Sequence, residues 1–190
     1  MNDLRYPIGK FEWIPLRDES AIAKGRARHI EVLSKLPAQM RAAVRDLSPE
    51  QLDTPYRPEG WSVRQVVHHV PDSHLNAYIR FKLALTEDEP TIKPYREDAW
   101  AKLPDVVTTP IEVSLQMLAA LHSRWVNLLV AMKPADFART LKHPERGLLS
   151  LDEMLAMYAW HSQHHLAHIT ALRERMKWKQ RVAAAASISS

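Results

Sequence analysis

Hydrophobic residues recur along this chain with the spacing of amphipathic helices, in four long stretches. The first runs from about Ser20 to Leu47 and repeats its apolar residues at intervals of three and four. The other three run from about 62 to 85, 109 to 129 and 150 to 176. Only four glycines and few runs of β-branched residues occur, which argues against a sheet. The pattern therefore predicts an all-α fold.

Capping boxes predict where three of these helices begin. In a capping box the N-cap side chain and the residue three positions later bond each other's backbone N–H groups. The predicted pairs are Ser62 with Gln65, Thr109 with Glu112, and Ser150 with Glu153. Pro110 follows Thr109 and would be the first helical residue, where its missing N–H costs nothing.

The connections complete a prediction of one domain over residues 1–178. Residues 48–51 resemble a short turn of helix, and residues 87–108 form a long connection with three prolines. Loops of that length within a compact domain are often functional. We predict a four-helix bundle with a long crossover connection. Residues 179–190 have little to bury, so we expect a disordered tail.

Composition narrows the function classes. The absence of cysteine excludes disulfides, thiolate ligands and a cysteine nucleophile, so any bound metal must be held by nitrogen and oxygen. No apolar run of membrane-spanning length and no signal-peptide core are found, so we expect a cytoplasmic protein without a membrane partner. The net charge of +4 is spread along the chain, and no nucleic-acid partner is predicted.

Histidines supply the candidate chemistry. Four of the ten lie in residues 161–168, and His161 and His165 are one helical turn apart on the apolar face. His168 lies at the edge of that face. Two imidazoles on a face that meets other helices predict a metal site with a third ligand from another helix. The alternative is that each is a hydrogen-bonded core histidine.

The helical wheel leaves the third ligand open between His69 and His74. His69 begins a polar stripe, beside the apolar face of the second helix, that includes Asn76 and Arg80. His74 lies within the apolar face itself. Three other histidines have no partner pattern and are assigned surface or structural roles: His29, His122 and His143.

Two motifs resemble those of the DinB/YfiT-like superfamily. Residues 61–74 resemble its first metal motif, a tryptophan turn followed by a helix carrying His, an aliphatic residue, any residue and Asp. Residues 161–169 resemble its second, His-x-x-x-His on the last helix of the bundle. The resemblance covers residues 5–178 and extends to the YfiT branch through four shorter segments: 6–9, 52–57, 73–82 and 94–95.

The resemblance implies a four-helix bundle, often a homodimer, with a divalent metal on three histidines. Matched by position, the metal ligands are His69, His161 and His165. His69 is favoured over His74 because Val70, Pro71 and Asp72 follow it in the order of the motif. Proline at 71 departs from the motif and predicts a kink just after the ligand. Zinc is the expected metal, with nickel as the alternative.

Three neutral imidazoles leave metal positions open, as in catalytic sites. The resemblance therefore implies first a metal-dependent hydrolase that acts on a small molecule with metal-activated water. A thiol S-transferase using a low-molecular-weight thiol such as bacillithiol is the runner-up, and a non-catalytic metal- or ligand-binding protein is the alternative of another class. Candidate pocket residues are Arg80, which could pair with a carboxylate, Asn76 and His168.

Overall fold

A computed structural model describes residues 3–178, and four long helices dominate it. The helices in chain order are α1 (Glu19–Val44), α2 (Pro49–Leu52), α3 (Val63–Thr86), α4 (Glu97–Trp100), α5 (Pro104–Thr108), α6 (Ile111–Ala131) and α7 (Leu151–Arg175). A 3₁₀ turn at Pro134–Ala138 precedes two short strands, β1 (Thr140–His143) and β2 (Gly147–Ser150). The predicted tail at 179–190 lies outside the described residues.

The long helices form the predicted four-helix bundle. Helix α1 packs against α6 and α7, and α3 packs against the same two helices. Helices α1 and α3 are therefore diagonal to each other, as are α6 and α7. The crossovers are the segments 45–62 and 132–150, whereas the connection at 87–108 joins the neighbouring helices α3 and α6. The candidate site lies where α3 meets α7.

The predicted capping box of α3 is confirmed. The Ser62 hydroxyl accepts from the Gln65 N–H and the Gln65 side chain accepts from the Ser62 N–H. At α7 only half of the predicted box forms: the Ser150 hydroxyl accepts from the Glu153 N–H, and the Glu153 side chain does not accept from the Ser150 N–H. Helix α3 is continuous from Val63 to Thr86 and includes Pro71.

The predicted start of the third helix was wrong. Thr109 closes α5, because its N–H donates to the Asp105 carbonyl at 2.9 Å. Pro110 is the N-cap of α6 and carries no side-chain acceptor, so the helix begins at Ile111 without a side-chain cap. Thr109 could cap either α5 or α6, and in the structure it ends α5. The sequence did not indicate α5, because a helix of five residues is too short to show an apolar period.

A β-hairpin is the second difference from the prediction. Strands β1 and β2 pair antiparallel, with Thr140 opposite Ser150 and His143 opposite Gly147. Gly147 has φ of +75°, a left-handed conformation that glycine adopts without strain. Each strand has four residues, too few to show a period of two against the helical background. The hairpin also anchors the 87–108 connection, because Ile92 N–H donates to the Lys142 carbonyl at 3.0 Å.

Two segments outside the bundle cover the junction of α3 and α7. The Trp61 indole donates to Asp98 Oδ1 at 3.2 Å, which ties α4 to the start of α3. The Trp160 indole donates to the Gly9 carbonyl at 3.2 Å, which ties the N-terminal segment to α7. No helix within residues 3–178 has both the length and the apolarity needed to cross a bilayer.

Candidate metal centre

The structure brings His69 of α3 together with His161 and His165 of α7. One ring nitrogen from each lies within 4.8 Å of the other two. The Nε2 atoms of His69 and His161 are 3.3 Å apart. The spacing of four residues along α7 places His161 and His165 on the same side, with ring centroids 4.4 Å apart.

Burial keeps all three imidazoles neutral. Loss of hydration lowers the pKa of His69 to about 3, and the pKa of His161 and of His165 falls well below the ordinary value for the same reason. The neighbouring imidazoles act in the same direction, since a positive charge on one disfavours a charge on the next. Neutral imidazole is the form that binds a metal ion.

A chain of hydrogen bonds fixes which nitrogen of His161 carries the proton. The Leu33 carbonyl can only accept, so His122 Nδ1, 2.7 Å away, is the donor. His122 Nε2 then accepts from His74 Nδ1 at 2.9 Å, since burial lowers the pKa of His122 to about 4 and keeps it neutral. His74 Nε2 in turn accepts from His161 Nδ1 at 3.1 Å. The lone pair of His161 is therefore on Nε2, the atom that faces His69.

A second chain fixes the tautomer of His165. The Arg5 carbonyl accepts from His168 Nε2 at 3.2 Å. His168 Nδ1 is then the acceptor for His165 Nδ1, at 3.4 Å. His165 Nε2 therefore carries the free lone pair, as in His161. His168 is held by stacking on Tyr56, with ring centroids 3.8 Å apart.

This donor set fits a divalent cation. Two nitrogens bound to zinc at about 2.0–2.1 Å in tetrahedral geometry lie about 3.3 Å apart, and the Nε2 atoms of His69 and His161 have that separation. Carbonyl-anchored partners orient two of the three rings, as outer partners do for metal-ligating histidines. The set contains only nitrogen, which suits zinc, copper, iron or nickel better than magnesium or calcium.

A second group of histidines within residues 3–178 also has ring nitrogens close together: His164, His165 and His168. There, however, the Nδ1 atoms of His165 and His168 are 3.4 Å apart and are occupied by the proton that His165 donates, so neither has a lone pair free for a cation. We therefore assign the candidate centre to His69, His161 and His165.

The centre opens into a cavity of about 750 Å³. Its walls come from α3, α4, α7, the N-terminal segment, the loop before α3 and residues 143–146. Trp61 packs edge-on against His69, with ring centroids 4.6 Å apart. The cavity is large enough for a small-molecule ligand.

The three candidate pocket residues have different surroundings. Arg80 and His168 line the cavity. The Asn76 side chain donates to the Asp72 carbonyl one turn earlier, at 2.9 Å, and Asn76 is not among the lining residues. His168 also orients His165, as described above.

Sequence reasoning missed the outer partners of the histidines. His74 was considered as a ligand, whereas in the structure it accepts from His161. His122 was assigned a surface or structural role, although it follows Leu118 by four residues and precedes Trp125 by three on the apolar face of α6. That position was a usable signal. The Arg5 carbonyl had none, because it lies 163 residues from His168 along the chain.

Comparison with known proteins gives one family. The model of the DinB superfamily matches residues 33–169. A relative from Bacillus mycoides (strain KBAB4) is 55% identical over 178 residues, which is 94% of this chain and all of the relative. A relative from Bacillus cereus (strain 03BB102) is 54% identical over 179 residues, again 94% of this chain and all of the relative. Both are named, provisionally, metal-dependent hydrolases.

A solved structure gives the same result. YfiT from Bacillus subtilis, described as a probable metal-dependent hydrolase with an unusual four-helix bundle topology, superposes with a TM-score of 0.87. The two sequences are 45% identical, and the match covers 93% of this chain and 99% of the YfiT chain.

Proposed function

Since this chain belongs to the DinB superfamily, we propose that it is a metal-dependent hydrolase whose cation is held by His69, His161 and His165. The observation that carries the proposal is the convergence of three neutral imidazoles at the wall of a large cavity. Similarity to relatives named as hydrolases supports the reaction class.

Zinc is the cation we propose, with nickel as the alternative. The 3.3 Å separation of two Nε2 atoms suits the short bonds and tetrahedral angles of zinc. A bound cation with an open position supplies a water molecule of lowered pKa, the nucleophile of many hydrolases.

The protein's own residues prepare the centre for that cation. His74 and His168 accept the Nδ1 protons of His161 and His165, so both Nε2 lone pairs point to the centre. Burial holds the pKa values of the three ligands low, and protons do not compete for the lone pairs at neutral pH. Tyr6 and Trp160, on the side of the N-terminal segment, line the cavity.

Three further predictions from the sequence remain proposals: a homodimer, a cytoplasmic location and a small-molecule substrate. Size-exclusion chromatography with light scattering tests the first. For the runner-up S-transferase the described residues provide no separate observation, so we treat thiol dependence as an outcome of the functional test.

The metal site is tested by elemental analysis of untagged protein after zinc loading and desalting. We expect about one cation per chain in the wild type and loss of it in His69→Ala, His161→Ala and His165→Ala. His143→Ala is the matched control, because His143 lines the same cavity outside the centre. Equal metal content in His161→Ala and wild type would contradict the proposal.

The reaction class is tested with a panel of activated esters and amides, with and without added bacillithiol or another low-molecular-weight thiol. Turnover of the zinc-loaded protein without thiol, absent from His161→Ala, supports hydrolysis. Consumption of an electrophile only when thiol is present would instead indicate S-transfer. Metal binding without turnover of either kind would indicate a non-catalytic metal-binding protein.

A further inference from the structure

Arg80 is a buried cation without a carboxylate partner. Its side chain projects from α3 and is 8% exposed. Its Nη2 donates to the Lys93 carbonyl at 3.3 Å, and the Tyr158 hydroxyl lies near the guanidinium. Within residues 3–178 no carboxylate oxygen lies within 4.0 Å of Arg80, since the five ion pairs there involve other residues. An unpaired charge in such a position is costly unless a ligand completes it.

The unused donors of Arg80 face the cavity. A guanidinium has five N–H groups, and the Lys93 carbonyl occupies one. None of the Arg80 nitrogens is among the fully enclosed polar atoms that lack a partner, and Arg80 lines the same cavity as the three histidines. The free N–H groups are therefore accessible from the space in which a substrate would lie.

Two hydroxyl groups, of Tyr158 and Ser73, line the cavity that Arg80 shares with the metal centre. Tyr158 lines the cavity, and its ring centroid is 5.6 Å from that of His161. Burial raises the pKa of the Tyr158 hydroxyl, and the nearby Arg80 charge and Ser73 hydroxyl oppose this rise. Ser73 is one helical turn after His69 and also lines the cavity. Two hydroxyl groups thus line the cavity together with the histidines and the guanidinium.

Acidic side chains line the cavity beside Arg80. Glu97 lines the cavity beyond ion-pair distance of Arg80. Burial and the neighbouring Asp98 raise the pKa of Glu97, whereas Arg80 lowers it. Because Glu97, Asp98 and Glu145 line the same part of the cavity as Arg80, they repel a ligand of one negative charge less than a doubly charged phosphate. A planar carboxylate also fits the guanidinium fork with two parallel hydrogen bonds.

We propose that the cavity binds substrates that carry a carboxylate, which pairs with Arg80 while the hydrolysable bond lies at the three histidines. This rests on the proposed function, because the distance from Arg80 to the centre then sets the length of the substrate. Arg80 would determine which substrates bind and would not take part in the reaction at the metal.

The experiment uses the zinc-loaded protein and the monohydroxamates of succinic, glutaric, adipic and pimelic acids, each compared with its methyl ester. The hydroxamate group binds an open metal position, and the chain length varies the reach of the carboxylate. By isothermal titration we expect at least one acid to bind about tenfold or more tightly than its ester, the value of a hydrogen-bonded charge pair. The preference should fall to within about twofold in Arg80→Gln.

Two further variants make the result specific. Arg146→Gln removes an exposed cation that lines the same cavity, and it should keep the preference for the acid. Arg80→Lys keeps the charge without the fork, so it should keep only part of the preference. Circular dichroism and thermal melting establish that each variant is folded.

The experiment distinguishes a failure of the carboxylate site from a failure of the proposed function. If acids and esters bind equally at every length, or if the preference survives in Arg80→Gln, the carboxylate site is wrong and the metal centre stands. If no hydroxamate binds the zinc-loaded protein, the proposed function fails. The carboxylate site is then judged by titrating metal-free protein with hexanoate and hexanamide: a preference for hexanoate that Arg80→Gln removes supports it, and equal binding overturns it.

Discussion

A ring nitrogen of histidine can donate or accept a hydrogen bond. In a chain of imidazoles the donors and acceptors are therefore determined only if a group at one end can act in just one of these ways. Here two backbone carbonyls do so, at Leu33 and at Arg5. Because a carbonyl never donates, each neutral ring along the chain has one possible tautomer. Both chains end with an Nε2 lone pair at the centre. The remaining ring, His69, can place its Nε2 proton against His161 when no cation is bound.

We predict these tautomers for the metal-free protein in solution. His74, His122, His161 and His165 should be protonated at Nδ1, and His168 at Nε2, as set by the hydrogen-bond directions above. Long-range ¹H–¹⁵N correlation spectra of histidine-labelled protein separate protonated from unprotonated ring nitrogens. His161 protonated at Nε2 would show that the chain from Leu33 does not have the direction we assign. His29, which has no part in either chain, provides the reference spectrum.

Replacing His74 should weaken metal binding without removing a ligand. His74→Phe keeps a ring of similar shape but leaves the buried Nδ1 proton of His161 without an acceptor. Loss of such an outer partner lowers metal affinity by about 10- to 100-fold, measured by competition with a chelating dye. His29→Phe is the control and should bind metal like the wild type. Unchanged affinity in His74→Phe would indicate that packing alone orients His161.

At the scale of elements, caps determine how the ligands are placed. Ser62 and Gln65 fix the first turn of α3, and His69 follows about one turn after Gln65. A start shifted by one residue would rotate His69 by about 100° and turn it away from α7. The Ser62 cap is therefore a condition for the site as well as for the helix.

Ser62→Ala should lower the free energy of unfolding by about 1 kcal/mol. The substitution removes the acceptor of the Gln65 N–H at the helix end. Urea denaturation measures the change. Ser34→Ala is the matched control, since Ser34 is exposed inside α1 and bonds only the Glu31 carbonyl of its own helix. The control should change stability by less than about 0.5 kcal/mol. Equal effects of the two substitutions would contradict a capping role.

Local patterns explain which elements could be predicted from the sequence. The starts of α3 and α7 were predicted because a capping serine and an apolar period coincide there. The start of α6 and the hairpin were not, because α5, β1 and β2 are each four or five residues long. Such segments owe their conformation to contacts with distant residues, as in the bond from Ile92 to Lys142.

The same distinction applies to the site. Spacing along α7 placed His161 and His165 on one face, but a helical wheel could not separate His69 from His74. The structure gives the reason: both residues contact His161, His69 at Nε2 and His74 at Nδ1. What distinguishes His74 is that its Nδ1 donates to His122. His122 belongs to α6, so the sequence of α3 does not indicate this contact.

At the scale of the whole molecule, the bundle keeps many histidines neutral. Besides the three at the centre, burial lowers the pKa of His74 well below its ordinary value and that of His122, His164 and His168 to about 4. In the unfolded chain each would titrate near 6.5. Between pH 6.5 and about 4 the unfolded chain therefore binds more protons than the folded protein, and stability rises with pH.

We expect the metal-free protein to lose stability steeply as pH falls from 7 to 5. One fully buried histidine accounts for roughly 2 kcal/mol of this loss, at about 1.4 kcal/mol per pH unit below 6.5. Several act together, so the melting temperature should be lower at pH 5 by more than about 5 °C. Calorimetry in the presence of a chelator measures the effect, and equal melting temperatures at pH 7 and pH 5 would contradict the neutral, buried histidines.

Asp72 changes the stability of the folded protein with pH in the direction opposite to that of the histidines, so it provides a control. Burial raises its pKa to about 6, so the folded protein holds that proton more tightly than the unfolded chain. The stabilisation that the protonated Asp72 gives the folded protein is fully present below pH 3.8 and is lost as the pH rises through 6. Asp72→Asn removes this opposing contribution, so the loss of stability between pH 7 and pH 5 should become larger than in the wild type. An equal or smaller loss would contradict the raised pKa of Asp72 in the folded protein.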